Sequence, residues 1–170
     1  MSRAVFFDRD GVLNELVERD GGYYSPRSLS DFKIRSGSGE VTRKTSSLGY
    51  LNIVISNQPD IARGFLEKEE LDRMTRVLID RLTIDDVFYC MHDDADSCNC
   101  RKPAPGLFTQ AADKWDIDLG RSYMIGDTWK DTQAAMKANV KCLLLDASYH
   151  QEYDKDNIIS SLADIFNVIG

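Results

Sequence analysis

The chain has 170 residues and a formal net charge of −7, from 21 lysines and arginines against 28 aspartates and glutamates. That length suits a single domain, expected to span residues 1–170 and able to bury roughly 70% of its unfolded surface. The acidic balance argues against nucleic acid or an anionic membrane as the main partner, and leaves room for a small phosphorylated substrate where a metal and a few cations offset the field.

Ser2-Arg3 runs straight into a short apolar stretch with no cleavage-site pattern. No apolar run approaches the ~20 residues that span a bilayer, so a cytoplasmic protein is expected. The stretch Ala4-Val5-Phe6-Phe7-Asp8-Arg9-Asp10-Gly11-Val12-Leu13-Asn14 organises the rest of the chain. Its apolar half reads as a fully buried strand. Asp8 and Asp10 then stand where that strand leaves the sheet, and Gly11 lets the chain turn. Ligands of open α/β sheets bind just beyond the carboxyl ends of the strands. Two carboxylates ~4 Å apart repel by about 4 kcal/mol at an effective dielectric of 20, so such a pair favours a cation between its members. The stretch is either a Mg²⁺ site with a nucleophilic carboxylate or an ordinary acidic turn.

A polar loop rich in Gly, Tyr and Ser runs from Glu15 to Asp31. Gly39 to Leu48 is a modest helix, stopped by Gly49. Leu51 to Ile55 is a second core strand, leaving through Ser56-Asn57-Gln58-Pro59. Glu67 to Leu82 is the clearest helix, with Leu71, Met74, Leu78 and Leu82 at helical spacing and acidic residues in the first turn. Asp86 to Cys90 is a third strand. Pro105 suits the first position of a helix whose apolar face is Leu107, Phe108, Ala111, Ala112 and Trp115. Ser122 to Ile125 is a fourth strand ending at Gly126-Asp127. The helix Trp129 to Ala138 comes next, with Asn139 in place for a left-handed cap. Lys141 to Leu145 is a fifth strand, on which Cys142 reads as a buried apolar filler. Ile158-Ile159 and a helix opened by Ser160 or Ser161 complete the pattern. The alternation predicts an α/β fold with a doubly wound, mostly parallel sheet.

Such a sheet brings three polar strand exits to one edge: Asp8/Asp10, Ser56/Asn57 and Asp127/Asp131. Arg101-Lys102-Pro103 precedes the Pro105 helix and could reach the same edge. A carboxylate trio, a hydroxyl, an amide and a lysine around one crevice form the set that phosphoryl transfer needs. Between Asp10 and Ser56 there is room for one helix and a loop, so no large cap domain is expected. The Glu15–Asp31 loop would then wall the pocket, and Tyr23 and Tyr24 either line it or pack on the sheet edge.

Of four cysteines, three fall between Cys90 and Cys100. In a reducing compartment such clustering favours a metal over a disulfide. Cys90, His92, Cys98 and Cys100 offer three thiolates and an imidazole, a closed tetrahedral Zn²⁺ set of the structural kind. A free-thiol loop is the plainer alternative. A calcium loop from Asp93, Asp94 and Asp96 lacks the glycine and closing glutamate of an EF-hand. Zinc would stiffen a loop leading directly into Arg101-Lys102.

Asp8-Arg9-Asp10-Gly11, Ser56-Asn57-Gln58, Lys102-Pro103 and Gly126-Asp127-Thr128-Trp129-Lys130-Asp131 resemble, in order and spacing, the four motifs of the haloacid dehalogenase-like phosphatases. The resemblance implies that Asp8 is the nucleophile and Asp10 the general acid/base. It implies that Ser56 and Lys102 bind the transferred phosphate. Asp8, the backbone carbonyl of Asp10, and Asp127 would hold Mg²⁺, with Asp131 behind them. The zinc loop followed by Cys100-Arg101-Lys102-Pro103 resembles the histidinol-phosphate and heptose-bisphosphate phosphatase subgroup. The stretch Asn57-Gln58-Pro59-Asp60-Ile61-Ala62-Arg63-Gly64 resembles the heptose-bisphosphate members more.

By that resemblance the substrate is a heptose 1,7-bisphosphate hydrolysed to the 1-phosphate, in the making of a surface-polysaccharide precursor. Histidinol phosphate or another small phosphomonoester is the alternative. The positions Asp20 to Tyr23, Ser56, Asn57, Gln58, Pro59, Arg101 and Lys102 would meet the substrate. Two positions depart from the subgroup. Asp60 replaces its usual glycine, and Thr128 stands where it often has a basic residue. Arg63 either compensates or is a solvated surface arginine. With no long exposed apolar helix, a monomer is expected.

Overall fold

The computed structural model describes residues 1–147 and 157–169. The chain runs β1 (Arg3–Phe7), β2 (Val17–Arg19), β3 (Gly22–Tyr24), α1 (Ser38–Ser47), β4 (Tyr50–Asn57), α2 (Lys68–Arg81), β5 (Asp86–Cys90), α3 (Gly106–Trp115), β6 (Tyr123–Gly126), α4 (Trp129–Lys137), β7 (Lys141–Leu145) and β8 (Ile158–Ile159). Six strands form one parallel sheet in the order β5-β4-β1-β6-β7-β8.

β1 lies in the interior of the sheet because every residue from Ala4 to Phe7 is apolar and can be covered on both sides. Its alternate side chains feed two separate cores. Val5 and Phe7 pack with Val41 of α1 and Leu78 of α2. Ala4 and Phe6 pack with Leu107 and Phe108 of α3 and Ala134 of α4. The Phe6 and Phe108 rings meet edge to face at 4.8 Å and 63°. Burying each ring contributes about 1.5–3 kcal/mol. The result is three layers, helix, sheet and helix, as the alternating pattern predicts.

The order of the strands positions the site. After β1 the chain adds β4 and β5 on one side, then crosses back and lays β6, β7 and β8 on the other. The reversal opens a crevice at the carboxyl edge beside β1. Asp8, Ser56 and Asp127 all sit at that edge.

Three differences from the expected elements have local causes. The Glu15–Asp31 loop contains the antiparallel hairpin β2–β3. Three-residue strands are too short for an alternation to show. Asp20 and Gly21 at the hairpin's tip have φ of 50° and 76°, the two positive values a type I′ turn requires and an Asp-Gly pair supplies. Pro105 directly precedes the first helical residue of α3. The last element, Leu162–Asn167, is 3₁₀ and not α-helical. Among the described residues no separate cap covers the edge. The hairpin and the loops after β4 and β5 stand around it.

Candidate active site

Asp8 is the first residue beyond β1, and its N–H donates to the Ile125 carbonyl of β6 at 3.0 Å. Its side chain is 14% exposed and faces the Lys102 ammonium at 3.1 Å. Burial raises the Asp8 carboxyl to about 6, against the pull of Lys102. Lys102 is 2% exposed and donates to Asp131 Oδ1 at 2.6 Å and to the Ile55 carbonyl at 3.1 Å. Burial alone would lower its ammonium, and the Asp131 and Asp8 carboxylates outweigh that and raise it. Lys102 is therefore a fixed, permanently charged post beside Asp8.

One strand end and one helix start hold that post. Asn57, last residue of β4, grips the Lys102 backbone from both sides: Lys102 N–H donates to Asn57 Oδ1, and Asn57 Nδ2 donates to the Lys102 carbonyl, each at 2.9 Å. Asp131, on the first turn of α4, is fully buried. Its Oδ2 accepts from the N–H groups of Asp127 and Thr128 and from the Thr128 hydroxyl, at 3.0–3.1 Å. Gly126 makes room for it, since a Cβ there would lie 2.2 Å from the Asp131 Cβ.

Carboxylate oxygens of Asp8, Asp127 and Asp131 lie within 4.8 Å of one another. Asp8 and Asp131 share the Lys102 ammonium, and Asp127 brings a third carboxylate to the same place. That donor set of hard oxygens fits a divalent cation such as Mg²⁺.

Asp10 has a different environment. Arg9, fully buried between the rings of Phe32 and Tyr89 at 5.6 and 5.7 Å, holds it through Nε and Nη2. Asn14 and Gln58 each donate a further hydrogen bond. No pattern in the sequence singles out Arg9. An arginine between two strand-end aspartates reads as solvated until its partner is seen, although Phe6-Phe7 before it signals burial.

These groups floor a cleft of about 700 Å³, the size of a small-ligand pocket. Ser56, Asn57, Arg101, Lys102, Gly21, Gly22 and Tyr23 line it. Asp20 is exposed at the hairpin tip and Gln58 lies beneath the wall, so neither is among the lining residues. Tyr23 lines the cleft, while Tyr24 does not. Lys130 and Thr128 complete the far wall. Lys130 lies within the fourth motif, but the sequence gives it no role of its own, since it is one lysine on an amphipathic helix.

Ion pairs lace the mouth. Asp60 accepts from Arg27 Nε at 2.7 Å and stands 3.7 Å from Arg63 Nη1. Arg63 in turn grips both oxygens of Asp93 at 2.9 and 2.6 Å, holding that carboxyl down at about 2 through its hydrogen bonds. Arg101 pairs with Asp94 at 2.7 Å. Arg63 thus lines the cleft, already bound to carboxylates.

Beside the mouth, Cys90, His92, Cys98 and Cys100 bring one ligand atom each within 4.8 Å of the others. The five contacts among these atoms span 2.9–3.6 Å. A tetrahedral zinc with Zn–S near 2.3 Å requires ligand edges of about 3.4–3.8 Å, so the cluster needs only slight relaxation to fit one. Its loop is packed hard against α3, because a Cβ on Gly106 would lie 2.3 Å from the Asn99 carbonyl oxygen.

A family model described as HAD-hyrolase-like matches residues 99–165. The chain is 37% identical over 150 residues to D-glycero-beta-D-manno-heptose-1,7-bisphosphate 7-phosphatase of Helicobacter pylori strain J99, covering 85% of this chain and 83% of that one. It is 34% identical over 179 residues to the enzyme of the same name from Escherichia coli K12, covering 95% and 91%. A crystal structure of D,D-heptose 1,7-bisphosphate phosphatase from B. bronchiseptica, complexed with magnesium and phosphate, superposes with a TM-score of 0.82 at 25% identity, covering 98% and 97%. The chain belongs to the haloacid dehalogenase-like phosphatases. Within that family its similarity runs to the heptose-bisphosphate phosphatases.

Proposed function

We propose that this chain, as one domain, is a Mg²⁺-dependent phosphatase that removes the 7-phosphate of D-glycero-D-manno-heptose 1,7-bisphosphate. The convergence of Asp8, Asp10, Ser56 and Lys102 on one cleft floor carries the reading. The named relatives supply the sugar. Their heptose phosphatase structure with magnesium bound supports the metal.

Asp8 and Asp127, with the backbone carbonyl of Asp10, would hold the Mg²⁺. When bound, the ion screens an anionic nucleophile from an anionic phosphate. Lys102 and the Ser56 hydroxyl seat the phosphate beside Asp8. An Asp8 oxygen then attacks phosphorus as the ester P–O bond breaks. The leaving oxygen keeps the electron pair and takes a proton from the Asp10 carboxylic acid. Asp10, now a carboxylate, takes a proton from water as that water attacks the aspartyl-phosphate. The Asp8–phosphorus bond breaks and inorganic phosphate leaves. Cys90, His92, Cys98 and Cys100 would bind a structural Zn²⁺, which fixes the loop carrying Arg101 and Lys102. Among the described residues no helix is long and apolar enough to cross a membrane, in keeping with a cytoplasmic site of action.

The test is phosphate release with Mg²⁺ from both anomers of heptose 1,7-bisphosphate, histidinol phosphate and simple sugar phosphates, with Asp8→Asn as control. Preference for the heptose bisphosphate, lost in the variant, is expected. Preference for histidinol phosphate would keep the chemistry and reassign the substrate. No turnover of any phosphate ester would overturn the reading.

A further inference from the structure

Asp10 is 7% exposed and both its oxygens are occupied. Oδ1 accepts from Arg9 Nε at 2.9 Å and Asn14 Nδ2 at 3.0 Å. Oδ2 accepts from Arg9 Nη2 at 3.1 Å and Gln58 Nε2 at 2.8 Å. Arg9 and Asn14 belong to the same turn as Asp10. Among these donors Gln58 alone arrives from another strand's exit. It is 2% exposed and is not among the residues lining the cleft, so its work is done from behind.

The Gln58 amide has one orientation. Once Asp10 has given up its proton, the carboxylate can only accept, so the NH₂ end faces it in that state. The second Nε2 hydrogen points to the Ser56 hydroxyl oxygen at 3.0 Å. Oε1 takes Arg9 Nη2 at 3.4 Å. The backbone N–H of Gln58 is tied to the Cys90 carbonyl at 2.7 Å. A single NH₂ group therefore spans the proton-transferring carboxyl and the hydroxyl that seats the phosphate.

We propose that Gln58 is a positioning residue for proton transfer, its carboxamide fixing Asp10 at a set distance from the phosphate held by Ser56. The proposal rests on the phosphatase reading. In that reaction the proton must pass from Asp10 to the ester oxygen attached to the seated phosphorus. An error of about 1 Å in such a placement can cost roughly 10²-fold in rate. Arg9 and Asn14 hold Asp10 within its own turn, but only Gln58 registers that turn against β4.

The experiment compares two leaving groups. A sugar alkoxide needs the Asp10 proton, whereas p-nitrophenolate departs without one. For Gln58→Met, kcat/KM should fall about 10²-fold further on the sugar phosphate than on p-nitrophenyl phosphate, because the lost Gln58–Ser56 contact affects both substrates and cancels in the ratio. Gln58→Leu, which keeps much of the volume and removes the donor without adding a charge, should show the same split and serves if the methionine variant does not fold. The crystal structure of either variant should show the Asp10 carboxyl turned away from its wild-type position. Equal losses on both substrates, or an unmoved Asp10, would overturn the proposal. Wild-type turnover that vanishes in Asp8→Asn establishes the phosphatase reading separately, so a flat ratio then counts against Gln58 alone.

Discussion

At the scale of single residues, Asp8 concentrates the chemistry and the cost of burial. Asp8→Asn, which removes the proposed nucleophile and little volume, should lower kcat at least about 10³-fold. The raised Asp8 carboxyl has two further consequences. In metal-free protein the protonated form is favoured by the fold. Its stabilising share is complete below the ordinary 3.8 and is lost as pH rises through about 6. Thermal melts in a chelator should show this slope in wild type and not in Asp8→Asn. Proton and Mg²⁺ also compete for the same oxygens. Mg²⁺ affinity measured by calorimetry should therefore strengthen up to about tenfold per pH unit below 6 and level off above it. The carboxylates were legible because aspartates at the end of an apolar run stand where a parallel sheet gathers its ligands. The buried Arg9 was not, and Gln58 was expected at the substrate and not behind Asp10, since these roles exist only through partners 1 and 48 positions away.

At the scale of elements, close backbone approaches decide what the loops can do. Gly126→Ala would drive a methyl into Asp131 and loosen Lys102 with it. Unfolding in denaturant should register more than about 2 kcal/mol of lost stability, with phosphate binding weakened in parallel. The Cys/His loop depends on its ligands for order, because it contributes little apolar surface. Cys98→Ser, or chelation, should speed amide exchange across 91–105 while leaving β1 and β4 protected. Strands and helices were readable where apolar residues repeat at period 2 or 3.6 over five residues or more. The β2–β3 hairpin was hidden by its brevity, although Asp20-Gly21 carried its turn. The Cys/His cluster was readable from spacing, but not the contact of Asn99 with Gly106, which depends on tertiary approach.

At the scale of the whole molecule, specificity lies in loops and chemistry in the sheet edge. Arg27, Asp60, Arg63 and Asp93 tie the post-hairpin segment, the post-β4 loop and the Cys/His loop together without a cap. Asp60 occupies two arginines that a second phosphate would otherwise attract. Asp60→Asn should lower KM for a bisphosphate about two- to fivefold, the worth of a partly exposed ion pair, and leave KM for a monophosphate in place. Steady-state kinetics on matched substrates checks it. The acidic total charge did foretell a site dependent on local cations. Arg101 and Lys102 were read from the sequence and line the cleft, Arg63 was left between two readings, and Lys130 was given no role because it looks like any other surface charge until the walls are assembled.

The central place of β1 has a consequence for the protein's birth. Its first partner, β4, is made early, but Asp8 also needs the Ile125 carbonyl from the last third of the chain. A ribosome that has synthesised only the first hundred residues has made Asp8, Asp10 and the Cys/His loop, but neither Lys102 nor β6. The site is therefore complete only once β6 pairs with the strand that was made first.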